Sequence, residues 1–128
     1  MKYLLDTHAF LWALEAPEKL SDSSGKIVND PASGLLLSIA TPWELAIKTN
    51  SGKLDAAKIL QQFDRLIAAS AYSLLETRAS DVIRAAGLPL HHRDPFDRLL
   101  VAQALELHIP IISRDGIFDR YGVRRIWD

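Results

Sequence analysis

A chain of 128 residues, 48% hydrophobic and 24% charged, fits one globular domain large enough to bury a core. With 15 basic and 16 acidic residues the net charge is −1, so the overall positive excess common among nucleic-acid binders is missing, and any contact with a polyanion must rest on a local basic patch or on a partner. The lack of cysteine excludes a disulfide scaffold, thiolate metal ligation and a cysteine nucleophile.

Lys2 to Leu5 is a short apolar run ending at Asp6-Thr7, the pattern of a buried strand. It starts without an apolar signal core, and no run approaches the roughly 20 residues a bilayer requires, so the chain is expected to stay in the cytoplasm and to make no membrane contact. His8 to Leu14 reads as a helix stopped by Pro17, and Ser21 to Asp30 as a short surface helix. Gly34 to Ile39 is a second buried strand. Thr41-Pro42-Trp43-Glu44 has the form of a helix start, with Thr41 as cap, Pro42 in the first turn and Glu44 at the capping-box position, and the helix should run to Ser51-Gly52. Asp55 to Ala69 reads as one amphipathic helix, Tyr72 to Leu75 as a third strand, and Thr77 to Ala86 as a helix ending at Gly87-Leu88-Pro89. Asp94-Pro95 opens a helix, Phe96 to Leu107, that is apolar on most faces and therefore central. Pro110 to Ser113 is a fourth strand, and Gly122 to Trp127 holds a short edge strand.

Strands alternating with helices predict an α/β fold: three layers, α/β/α, around a mainly parallel sheet of four or five strands with the first strand near its middle. Active sites in such sheets lie beyond the carboxyl ends of the strands. Asp6 follows strand one, Glu44 begins the helix after strand two, and Asp115 follows strand four. Asp97, in the first turn of the long helix, joins them if that helix starts at the same edge. Carboxylates crowded together resist joint ionisation, and a divalent cation relieves the repulsion; an all-oxygen donor set suits Mg²⁺ or Mn²⁺. Each acid also has a plainer role: Asp6 as a strand-end cap, Glu44 as partner of Thr41, Asp97 as a helix-dipole charge, Asp115 as a turn residue before Gly116.

The stretches Leu4-Leu5-Asp6-Thr7-His8, Trp43 to Lys48, His92 to Ala104 and Ile112-Ser113-Arg114-Asp115 resemble the PIN-domain nucleases, and among them the VapC-type toxins of toxin–antitoxin systems. The resemblance spans essentially the whole chain, and Asp94-Pro95-Phe96-Asp97-Arg98-Leu99-Leu100-Val101-Ala102-Gln103-Ala104 is its most specific block. It implies a Mg²⁺- or Mn²⁺-dependent endoribonuclease leaving a 5′-phosphate, with Asp6, Glu44, Asp97 and Asp115 as the four acidic positions, a small antitoxin as partner and a homodimeric state. Asp94 and Asp119 are neighbouring alternatives for the last two positions. Asp6 and Asp97 are the expected direct ligands. Glu44 would orient or deprotonate water, and Asp115 would bind through water or complete a second site.

Thr7 and Ser113 are expected to hold carboxylates in place as hydrogen-bond donors. Lys48, Arg93, Arg98 and Arg114 lie near these motifs and could grip an RNA backbone, Arg98 foremost, or else pair with nearby acids. His8, His91, His92 and His108 lack zinc-site spacing, although His8 lies close to Asp6. Trp12 and Trp43 are expected in the core, or else lining a groove for a partner helix. Two rival functions stay open: a phosphatase or phosphotransferase with Asp6 as nucleophile, and a non-catalytic PIN-like binding module.

Overall fold

The computed structural model describes residues 1–128. Five strands form one parallel sheet: β1 (Lys2–Leu5), β2 (Gly34–Ser38), β3 (Tyr72–Leu75), β4 (Ile111–Ile112) and β5 (Arg125–Ile126), in the spatial order β3-β2-β1-β4-β5. The apolar first strand is central, as expected of a segment with both faces covered. Leu5, Leu35, Leu37 and Ile112 point to one face, into a core shared with Phe10, Leu45, Ile59 and Phe63. Leu4 and Ile111 point to the other, against Leu100, Val101, Ala104 and Phe118. Alternate residues of one strand thus anchor opposite layers, the consequence of a two-residue side-chain period.

The helices are α1 (Thr7–Glu15), α2 (Asp22–Asn29), α3 (Ala40–Asn50), α4 (Ala57–Gln61), α5 (Phe63–Ala68), α6 (Ala79–Gly87) and α7 (Pro95–Leu107), with 3₁₀ turns at Pro17–Lys19 and Gly116–Tyr121. The α7 helix buries six consecutive residues, Leu99 to Ala104, as its all-round apolar character requires. It is capped by Asp94, whose carboxylate accepts from the Phe96 N–H, with Pro95 in the first turn, and closes at His108 in the left-handed conformation (φ 55°).

Two local expectations are corrected. Residues 55–69 are not one helix: at Gln62 the backbone N–H bonds to Ile59, three residues back, and the ladder breaks into α4 and α5. This tighter turn lets both Ile59 and Phe63 reach the core. Thr41 is not a helix cap. The helix begins at Ala40, whose N–H is taken by the Ser38 hydroxyl at 3.2 Å, and Thr41 is buried one position inside it. Pro42 is still harmless, because a missing N–H in the first turn removes no helical bond. Glu44 is thereby moved off the capping-box position.

Candidate active site

Asp6 stands where β1 becomes α1. Its backbone N–H continues the sheet ladder to the Ile112 carbonyl (3.1 Å), so β4 fixes its place. Its carboxylate caps α1 through the Ala9 N–H (2.8 Å) and accepts from the buried Ser113 hydroxyl. Each oxygen therefore accepts one hydrogen bond and keeps a further lone pair. Burial raises the Asp6 pKa above its ordinary value, against the lowering effect of the Ser113 and Ala9 bonds.

Glu44 is almost fully buried on α3. Its Oε1 accepts from Thr7 Oγ1 at 2.6 Å, and its Oε2 pairs with Lys48, one helical turn on. Thr7 directly follows Asp6, so one backbone turn places a carboxylate and the donor for another side by side. Lys48 also approaches Asp94 at 3.4 Å. Partial burial opposes its charge, but Glu44 and Asp94 prevail and hold its pKa up. The plainer reading of Lys48, an internal counter-ion, is the arrangement seen.

Asp97 stands in the first turn of α7. Burial raises its pKa to about 8, with Asp94, Glu44 and Asp6 adding repulsion that Lys48 only partly offsets. The α7 N-terminus therefore lies at the sheet edge that carries Asp6 and Glu44. Asp97 Oδ2 is 2.8 Å from His92 Nε2, and no hydrogen bond reaches Oδ1. Asp115 is half-exposed. One oxygen accepts from the Ile117 N–H (3.0 Å) in the turn role its sequence suggests, and the other lies 3.3 Å from the same His92 nitrogen. Ser113 Oγ accepts the Asp115 N–H (3.0 Å), so this one hydroxyl links Asp6 to Asp115.

The acids share one edge of the sheet but do not form a closed cage: no three acidic or imidazole groups converge at coordination distance on one point. The expectation that four carboxylates crowd one spot is corrected to this extent. Each is drawn to a protein partner, Asp6 to Ser113, Glu44 to Thr7 and Lys48, and Asp97 to His92. The donor chemistry nevertheless fits a hard divalent cation. Every candidate ligand is a carboxylate, and the repulsion on Asp97 is what a bound positive charge would relieve.

The other candidates separate clearly. Asp119 is exposed and held away from the acids by Arg125 at 3.0 and 3.1 Å. Asp94 is occupied as the α7 cap and beside Lys48. Arg98 donates from Nη1 to the His92 and Arg93 carbonyls, 3.0 Å each, and so braces the loop before α7, while its Nη2 makes no hydrogen bond within the chain. Arg93 and Arg114 are exposed. Arg114, His8 and Trp12 line an open groove with Asp6, Asp115 and Gly116. Trp12 packs between His8 and Trp127 at 5.8 Å from each, whereas Trp43 is 63% exposed, edge-on to Phe96 at 5.1 Å, and is not a core residue. The residue that sequence reasoning missed is His92. Its only signal was its place just before the Asp-Pro-Phe-Asp block, and adjacent His91 and Arg93 share that place.

Comparison with solved structures finds the same fold in several known proteins. VapBC2 from Rickettsia felis, bound to a promoter DNA fragment, aligns at TM-score 0.72 and 16% identity over 100% of both chains. FitAcB from Neisseria gonorrhoeae aligns at 0.66 and 17% identity, over 97% of this chain and 96% of that one. A toxin–antitoxin complex from Klebsiella pneumoniae aligns at 0.61 and 12%, over 88% and 86%. No curated protein matches the sequence. The family model described as PIN domain matches residues 3–124. With that match over nearly its whole length, the chain belongs to the PIN-domain family.

Proposed function

We propose that this PIN domain is a Mg²⁺- or Mn²⁺-dependent endoribonuclease, the toxin of a VapC-type toxin–antitoxin pair, held in check by a small antitoxin and acting as a homodimer in the cytoplasm. The observation that carries the catalytic part is the acid cluster at the carboxyl edge of the sheet. Asp97 there is held at about pKa 8 by burial and by Asp94, Glu44 and Asp6. Such concentrated negative charge marks a functional site and calls for a cation. The partner part is supported by likeness to solved assemblies that include a toxin–antitoxin complex.

A bound divalent ion would supply charge to offset the phosphate and a lowered pKa for the attacking water. Asp6 and Asp97 would hold it, with Asp115 adding a water-mediated contact. Ser113 fixes Asp6, and Thr7 fixes Glu44. Glu44 orients the attacking water and accepts its proton, while Lys48 balances the carboxylate. Arg114 and Arg93, exposed near the acids, contact the RNA backbone.

The test is cleavage of total RNA by purified, antitoxin-free protein with Mg²⁺, with and without chelator, with the ends mapped. Cleavage that leaves 5′-phosphates, needs the metal and disappears in Asp6→Asn and Asp97→Asn is the expected result. Full activity in either variant ends the proposal. Absence of both cleavage and Mg²⁺ binding in the unaltered protein returns the chain to the non-catalytic reading.

A further inference from the structure

Two of the buried acids share a simple arrangement: one uncharged side-chain donor holds one carboxylate oxygen. Ser113 does this for Asp6 and Thr7 for Glu44. At the corresponding place on Asp97 stands His92. We infer that His92 is the positioning residue of this site: it grips Asp97 by Oδ2, leaves Oδ1 for a divalent ion, and ties Asp97 to Asp115. The inference rests on the nuclease reading above and deepens it.

His92 is fixed at three polar points. Its backbone N–H donates to Tyr121 Oη (2.7 Å), and that hydroxyl donates in turn to the Pro89 carbonyl (2.6 Å). Its carbonyl accepts from Arg98 (3.0 Å). Its ring Nδ1 accepts from the Asp94 N–H (3.3 Å). The ring also packs against Phe118, with centroids 6.0 Å apart.

The Nδ1 contact decides the chemistry. A nitrogen that accepts a backbone N–H carries no proton, so the hydrogen of a neutral ring must sit on Nε2. That nitrogen is buried, 2.8 Å from Asp97 Oδ2 and 3.3 Å from Asp115 Oδ2, and collinear with neither. Its N–H is the one donor set between two acids contributed by different segments, the start of α7 and the turn after β4, and at rest it completes a hydrogen bond to neither. As a neutral donor it can steady Asp97 without placing a permanent cation where a metal must bind. Donors of this kind orient ligating carboxylates, and their loss typically costs about 10–100-fold in metal affinity or activity.

Two variants separate this role from mere packing. His92→Phe keeps an aromatic ring against Phe118 and removes the donor. His92→Gln sets an amide N–H near the Nε2 position. Calorimetric titration with Mn²⁺ alone should show His92→Phe weaker than the unaltered protein by about 10–100-fold, and His92→Gln within a few-fold of it. RNA cleavage should follow, with kcat reduced and KM for RNA unchanged. Nitrogen NMR of the ring in the unaltered protein should show Nε2 protonated and Nδ1 bare. Equal Mn²⁺ affinity in His92→Phe, or the opposite tautomer, overturns the inference. If the unaltered protein binds no Mn²⁺, the nuclease reading fails, and the tautomer still decides whether His92 grips Asp97 as described.

Discussion

At Asp97 burial and three neighbouring carboxylates act in the same direction, and the carboxyl is held at about 8 against an ordinary 3.8. The folded chain binds this proton more tightly than the unfolded chain. Its contribution to stability is therefore complete below about pH 4 and is lost as pH rises through about 8. Asp6, raised by burial, adds to the same trend. The denaturation midpoint of metal-free protein should fall across that window, and Asp97→Asn should flatten the curve. Added Mg²⁺ should restore stability chiefly at the alkaline end, where the carboxylates are charged and can bind it. A midpoint that rises between pH 4 and 8 would contradict this account. Ser113→Ala leaves a buried acid short of one donor, so it should cut RNA cleavage by about 10–100-fold while the unfolding transition stays cooperative. At this scale sequence reading placed Asp6, Glu44 and Asp115 at one edge, because each adjoins a strand end or the helix that follows one, and left Asp97 conditional on where its helix starts. It could not find His92, whose partners Asp97 and Asp115 are brought to it only by the loop that Tyr121 and Arg98 anchor.

Among the elements, α7 matters most, since its first turn carries Asp97 and its body fills the second core. Asp94 caps it, so Asp94→Ala should cost about 1 kcal/mol in denaturant-measured stability. It should also loosen Lys48 and shift the start of α7, lowering activity. Unchanged stability would mean that Pro95 alone sets the helix start. The apolar runs of β1 and β2, and the Asp-Pro start of α7, were legible because burial on both faces and cap chemistry leave plain marks in sequence. The split at Gln62 was not, because Ile59 and Phe63 keep the four-residue spacing of an unbroken helix while the backbone tightens between them. The start of α3 was misread because Thr41 has the chemistry of a cap, yet the Ser38 hydroxyl performs that role from inside the strand.

Over the whole molecule, charge is nearly balanced and no helix is long and apolar enough to cross a membrane. Lys48 is paired internally and Arg98 is engaged through Nη1, whereas Arg93 and Arg114 are exposed. RNA affinity should therefore show a shallow salt dependence, and Arg114→Ala should reduce the log–log slope by about 0.7, the value for one single-strand phosphate contact. An unaltered slope in that variant would remove Arg114 from the RNA surface. The three-layer architecture was readable from the alternation of elements, and both short strands lie inside the segments the sequence marked, β4 within Pro110 to Ser113 and β5 within Gly122 to Trp127, with their extent set by register against β1 and β4.

The bond from Ser113 to Asp6 joins residues 107 positions apart, and the strand that seats Asp6 is β4. During synthesis the first acid thus leaves the ribosome long before its support exists. Until the segment around residues 111–115 has emerged and docked, Asp6 lacks both its neighbouring strand and its hydroxyl donor, so the acid cluster assembles only near the end of synthesis.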